Sequence, residues 1–323
     1  MIREAVWLSG VVEFALVEQI LMRIGGIEMS RSSVWRSDQR WGKRMAAVEA
    51  REREKANCLP GVDESVARIE AREKRMGVAM DGAMVPIRNE GWKELKLGSV
   101  FEVAVLPTVD EQTNEVIDLA HAVRNSYVAH LGGPDLLGEL TWSEAQRRGW
   151  EHAPDTLVIS DGAPWIWNQV AIHFGQSQQL VDWYHAKAHL ADCARMLKGE
   201  GTPACHRWLN SRETRLYQGH AAHIADELCQ LADPHPCREH LQREAAYFRS
   251  QQHRMNYLEM RENQWPLGSG MIESAAKQFK HRFCGPGMRW SRSGLENLLP
   301  IRSAILSNRF DSLWTKAYAM PPK

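Results

Sequence analysis

Apolar and polar positions follow three regimes along the chain. From Ala5 to Met22, apolar residues fall at helical spacing (Val12, Ala15, Leu16, Ile20, Met22) and Gly25-Gly26 supplies a stop. Ser30 can cap a second, short helix running to Arg36. Trp41 to Arg75 is dense in mixed charge and broken by Pro60-Gly61, which predicts a linker with helical pieces. At Met76 the period changes. A strand to Asp81, a turn, a run from Met84 to Ile87, and the period-2 alternation of Leu97 to Leu106 predict three antiparallel strands. Asp110 to His130 reads as helical through Val116, Leu119, Ala120 and Val123. Strands follow at Thr156 to Ser160 and Gln179 to Trp183, with helices at Pro164 to Phe174 and Tyr184 to Leu197. The order βββαβαβα predicts a mixed α/β sheet with helices packed on it. Between Gly199 and Arg261 the strand signal disappears, and Ile224, Leu228 and Leu231, then Leu241, Ala245 and Phe248, fall at i, i+4 and i+7. A loop from Pro266 to Gly270 then precedes a helix from Met271 to Arg282.

Composition narrows the class. At 323 residues, 44% apolar and 25% charged, the chain can bury a large core. No apolar run reaches the ~20 residues of a bilayer span, and the first residues lack the layout of a signal peptide, so a cytoplasmic place and no membrane partner are the expectation. Six scattered cysteines without a CxxC pair predict reduced thiols. The formal net charge is zero, yet its distribution is uneven. Gly270 to Phe310 holds seven Lys/Arg against two acids, a local excess of positive charge where an anionic partner could dock.

The candidate chemistry lies in three acids. Leu157 to Ser160 is a short apolar run that delivers Asp161, followed by Gly162 and by Pro164 in a first-turn position. Met76 to Met80 delivers Asp81-Gly82 in the same way, and Glu273 falls in the first turn of a late helix. Two or three carboxylates converging on one sheet edge suit Mg²⁺ or Mn²⁺, two ions in a phosphoryl-transfer site. Taken singly, each has a plainer reading: Asp-Gly pairs form turns, and Glu273 with Lys277 makes an ordinary helical ion pair. His185, His189 and Cys193 share one helical face as packing groups, or as three zinc ligands that lack a fourth at characteristic spacing; alternatively His185 contacts a phosphate or orients a metal ligand. Trp165 and Trp167 read as core residues rather than base-stacking ones. Residues 1–40 fit a helix-turn-helix that would use Arg31 and Arg36, and equally a plain helical hairpin. Arg289-Trp290-Ser291-Arg292, after a Gly-Pro-Gly turn, reads as a phosphate-contacting loop or a surface turn.

Several segments together resemble the DDE-type insertion-sequence transposases, closest to the ISKra4 group. They are Asp81 to Arg88, Gly91 to Glu94, Asp161 to Trp167, Asp182 to His185, Gly268 to Lys277, and Cys284 to Ser291. The resemblance spans about two thirds of the chain, from Gly77 to Arg302. It implies a ribonuclease H-like core over 76–198, a helical insertion over 199–265, and a last core helix with a basic tail over 266–323. The region 1–40 would bind DNA and 41–75 would link it to the core. Fewer residues precede the core than the resemblance implies, so a shortened or decayed copy is one expectation. It further implies Asp81, Asp161 and Glu273 as ligands of Mg²⁺, His185 as a catalytic residue, and Arg31, Arg36, Lys277, Lys280, Arg289 and Arg292 as contacts to double-stranded DNA. The activity implied is cleavage of transposon ends and strand transfer into a target by a nucleoid-associated homo-oligomer. Two other readings stand beside it, a non-catalytic DNA-binding repressor and a nuclease that does not join strands.

Overall fold

The computed structural model describes residues 1–56, 74–110, 114–233 and 236–321. Its strands are β1 (Met76–Ile87), β2 (Gly91–Val109), β3 (Val116–Leu131), β4 (Thr156–Ser160) and β5 (Gln178–Val181), in the order β3-β2-β1-β4-β5. This is a mixed α/β sheet, antiparallel between β1 and β2 and parallel between β4 and β5. The chain divides into two compact units. One comprises Met1–Glu102, Arg124–Pro154 and Gly270–Lys323; the other comprises Val103–Val123 and Asp155–Ser269. Among the described residues, no helix is long and apolar enough to cross a membrane.

In the first unit, β1 and β2 form a continuous hairpin from Met76↔Glu102 to Ile87↔Gly91. Asn89 and Gly91 turn the chain with φ of 64° and 74°. The expected break at Asp81-Gly82 is absent: Asp81 sits mid-strand opposite Leu97, and Gly82 opposite Lys96. The two short strands expected on either side are therefore one. The third strand of the βββ run is instead β3, in the stretch expected to be helical. Ile117, Leu119, His121 and Val123 alternate as well as they fit a helix, and pairing beside the long β2 selects the extended form. In the part of these strands that belongs to the second unit, Thr108 Oγ1 and His121 Nε2 lie 2.7 Å apart. The order βββαβαβα recurs with different occupants: the first two expected strands are one, the expected helix over 110–130 is β3, and the helix that follows, Pro134–Arg147, is not among those expected.

The N-terminal helices are α1 (Ile2–Val11), α2 (Phe14–Gly25) and α3 (Arg31–Ala56). The single helix expected over Ala5 to Met22 is broken at Val12, which is extended, so that Val17 and Leu21 join Ala5 and Val34 in one apolar cluster. Gly26 closes α2 in the left-handed region, its N–H donating to the carbonyls of Leu21 and Met22. The second helix is not short. At 26 residues, α3 runs on through the stretch expected to be a linker as far as Ala56; residues 57–73 of that stretch lie outside the described residues. From Gln39 onward it docks on α12 (Arg292–Leu306) and α13 (Phe310–Ala319), with Trp41 stacked on Trp314 at 4.0 Å. Gly42 is required at this crossing, because a Cβ there would overlap the carbonyl oxygen of Asn297. Helix α4 (Pro134–Arg147) completes the packing against α3.

Asp38 on α3 is fully buried and accepts hydrogen bonds from Ser9 Oγ at 2.8 Å and Gln39 Nε2 at 3.0 Å. Burial outweighs these bonds and the nearby Arg282 charge and pushes its carboxyl up from 3.8 to about 6. A carboxyl raised on folding contributes stability that is present at low pH and lost as pH rises through the folded value. The unit is thus expected to lose about 3 kcal/mol from this group between roughly pH 4 and pH 6. Glu144 on α4 behaves oppositely. Burial raises it, but Arg309 and Arg147 prevail and hold it at about 2, so its contribution disappears only below the ordinary carboxylate range. Urea midpoints at pH 4 and pH 6.5 check the prediction: the drop seen in the parent should be reduced in Asp38→Asn, and an equal drop in both would refute it.

The second unit holds β4, β5 and helices α5 (Pro164–His173), α6 (Trp183–Lys198), α7 (Pro203–Tyr217), α8 (Ala221–Ala232), α9 (Arg238–Gln251) and α10 (Tyr257–Glu262). Residues 203–262 are thus helical wherever they form regular structure, and α8 packs along α9 through Ile224, Leu228, Leu241 and Phe248, all buried.

Candidate active site

Leu157, Val158 and Ile159 are fully buried, as a near-continuous apolar run in a parallel pair requires. The register with β5 runs from Leu157↔Gln178 to Ser160↔Val181, so the next residues, Asp161 and Asp182, leave neighbouring strands side by side. The Asp182 N–H still donates to the Ser160 carbonyl at 2.9 Å. The two carboxylates have different fates. Asp182 is fully buried: its Oδ1 accepts the His185 N–H at 2.8 Å as the N-cap of α6, and its Oδ2 accepts the Ser269 N–H. The strand expected to continue to Trp183 therefore ends at Val181, because Asp182 caps a helix instead. Trp183 N–H donates to Leu267 at 2.9 Å, a second tie to the loop that ends at Ser269, the residue before α11 (Gly270–Phe283).

Asp161 is half-buried, and its Oδ1 accepts the Ala163 N–H at 2.9 Å. Among the described residues its Oδ2 has no hydrogen-bond partner. Pro164 occupies the first turn of α5, where its missing N–H costs nothing. Gly162 is not a left-handed turn residue. It is needed because Tyr247 of α9 packs where a Cβ would sit, while Gln251 Nε2 donates to the Gly162 carbonyl at 3.4 Å.

Tyr247 is the neighbour that sequence reasoning missed. Burial raises its hydroxyl well above the ordinary range, and the charges of Asp161, Asp182 and Glu244 add to this, so it stays protonated. Its oxygen is buried and has no hydrogen-bond partner among the described residues. Its ring stacks on His189 at 3.8 Å, and His189 Nδ1 meets Glu244 Oε2 at 2.6 Å. One signal was available: Tyr247 adjoins Phe248 on the apolar stripe of α9 and carries a polar tip into that stripe.

His185 lies half-buried in the first turn of α6, three residues beyond the Asp182 cap. His189 and Cys193, on the same face, are absorbed in packing: His189 by Glu244 and Tyr247, and Cys193 as a buried thiol pushed up to about 12 by burial and then by Glu244. Trp167 is a core residue, with Arg254 lying 4.3 Å over its ring.

In the first unit, Asp81 is half-buried and its Oδ1 accepts the Gly82 N–H at 2.6 Å. Glu273 is half-buried in the first turn of α11, and α11 packs on β1 through a face that buries Ile272, Ala275, Ala276 and Phe279. These two acids therefore ride on two elements packed together. Lys277 and Lys280 are exposed on the same helix, as is Arg289 beyond it. Arg31 and Arg36 are exposed near the start of α3, Arg36 Nη2 lying 3.2 Å from Ser33 Oγ. Arg292 is different. Its Nη2 and Nε bind Glu90 at 2.6 and 3.1 Å, so a phosphate would have to displace a carboxylate to reach it.

The acids supply hard oxygen donors, the class that Mg²⁺ and Mn²⁺ take. Among the described residues, no group of three or more His, Cys, Asp or Glu side chains is gathered to hold an ion.

No family model matches the chain, and no curated protein matches it. Among solved structures it is similar to the Drosophila P element transposase strand transfer complex, with 12% identity and a TM-score of 0.30, over 97% of this chain and 79% of that one.

Proposed function

We propose that the chain is a DNA transposase of the DDE type, with Asp81, Asp161 and Glu273 as its acids. The observation that carries the reading is Asp161. It leaves the carboxyl end of a fully buried parallel strand with one oxygen fixed by the Ala163 N–H and the other uncommitted, next to an aspartate whose oxygens are both used. Asp182 is a buried carboxylate with both oxygens used in structure; Asp161 instead keeps one oxygen at a half-exposed strand end, where an ion or a substrate can reach it. Asp81 and Glu273 on the packed pair β1 and α11 add two more acids in the expected order.

On this reading Asp81 and Glu273 in the first unit and Asp161 in the second are the oxygen donors offered to Mg²⁺, which when bound supplies a Lewis acid for phosphoryl transfer. The chain's own contribution is orientation. The Ala163 N–H fixes Asp161, Asp182 anchors the segment that leads into α11, and the Tyr247 hydroxyl stays a donor beside the charges of Asp161 and Asp182. Exposed Arg31, Arg36, Lys277, Lys280 and Arg289 offer cations to double-stranded DNA. Transfer into a target, by a homo-oligomer that synapses two ends, belongs to the same proposal.

A joining assay tests it. DNA ending in the element's own cut terminus, with a free 3′-OH, is mixed with target plasmid, protein and Mg²⁺. Covalently joined products are expected. Hydrolysis without joining would replace the reading with a nuclease, and binding without either would replace it with a repressor.

A further inference from the structure

The first unit contains a cavity of about 530 Å³ that none of the three acids lines. Four arginines from four separate stretches line it: Arg31 at the start of α3, Arg88 just past β1, Arg282 on α11, and Arg289. A single acid, Glu13, faces them. Among the described residues, the guanidinium groups of Arg31, Arg88 and Arg289 have neither a side-chain hydrogen bond nor an ion pair. β1 separates Arg88 from Asp81 by six residues of strand, roughly 20 Å at the rise of extended chain. The cavity is therefore distinct from the Asp81 position.

Arg282 is the decisive residue. It is 2% exposed, and its Nη2 has no hydrogen-bond partner among the described residues. The buried Asp38 and the cavity's Glu13 offset part of its charge, but the Nη2 donor itself is unmet, and a buried donor without an acceptor is costly, so an anion entering the cavity would satisfy it. The side chain is held for that role. Its Nε donates to the Ser9 carbonyl at 2.8 Å, and its guanidinium lies over the rings of Trp290 at 5.1 Å and Phe14 at 5.3 Å. Burial pulls it down to about 10, still protonated at neutral pH.

The aromatic lining sets the rest of the ligand. Trp290 is enclosed, with its Nε1 donating to the Phe283 carbonyl at 2.9 Å, and serves as a wall. Trp35 is 45% exposed on the same cavity and offers a face to a flat ring. Several guanidinium groups beside an accessible indole suit a phosphate joined to a base. The volume lies within the range of small-ligand sites, about 300–1,000 Å³, and admits a single nucleotide rather than a paired helix.

We propose that this cavity takes one unpaired nucleotide of a DNA strand, with its phosphate among Arg282, Arg31, Arg88 and Arg289 and its base against Trp35. That the nucleotide belongs to DNA rests on the function proposed above; the anion and ring chemistry does not.

Fluorescence anisotropy on the full chain without Mg²⁺ tests this, so that no cutting enters the readout. The probes are a short labelled oligothymidylate, the same sequence as a blunt duplex, and thymidine monophosphate as competitor. The unpaired strand should bind more tightly than the duplex and than the mononucleotide. Trp35→Ala should weaken it about tenfold or more. Arg31→Ala and Arg289→Ala should each weaken it and flatten its salt dependence by about one unit of slope. Arg282→Lys keeps the charge and should weaken it through the lost planar fork. Because the readout needs neither Mg²⁺ nor cutting, failure here is separate from failure of the catalytic reading. Equal binding of duplex and single strand with Trp35→Ala neutral would overturn the proposal. Mononucleotide binding as tight as that of the strand would overturn the assignment to DNA.

Discussion

Asp161→Asn is expected to fold as the parent does and to cut DNA about a thousandfold more slowly, or worse. The fold is preserved because an amide oxygen still accepts the Ala163 N–H, and because β4 is anchored by the buried Leu157, Val158 and Ile159 rather than by the acid. Activity fails because the substitution removes the negative charge from the one oxygen not used in structure. A loss of about 4 kcal/mol of transition-state stabilisation corresponds to a thousandfold. The check is a nicking rate for each protein at equal concentration, with matched thermal transitions to show that both are folded.

Asp182→Ala should do the reverse, acting on the fold first. Its carboxylate caps α6 and accepts the Ser269 N–H in a fully buried position. Loss of the cap costs about 1 kcal/mol, and leaving a buried N–H unsatisfied costs about 1–3 kcal/mol. Together they should lower stability by roughly 2–4 kcal/mol. Asp182→Asn, which can accept only one of the two bonds, should fall between alanine and the parent. Urea titration reads the difference, and proteolysis should detect earlier cleavage near residues 266–269. A midpoint unchanged in Asp182→Ala would remove the anchoring role.

The contrast between these two aspartates marks what the sequence could and could not convey. The apolar run of β4 and the Pro164 start of α5 are local signals, and the structure places both elements there. The use of Asp182 as a cap was also local, since an acid three residues ahead of His185 at a helix start is a capping position, but the strand signal of Leu180 and Val181 masked it. β3 was not legible from its own residues. Its alternation fits strand and helix alike, and the long partner β2 decides. Asp81 is a similar case: Asp-Gly ordinarily signals a turn, yet twelve residues of register with β2 carry the strand through it. Tyr247 beside Gly162, and the meeting of Arg31, Arg88, Arg282 and Arg289, join positions far apart in the chain, and no local pattern encodes them.

The central claim is that Asp161 belongs to a phosphoryl-transfer site acting on DNA. The most direct measurement is nicking of DNA that carries the element's own ends, with Mg²⁺, by the parent chain and by Asp161→Asn. The parent is predicted to release a 3′-OH at the ends and the variant to leave them intact. Equal cutting by both proteins would contradict the account.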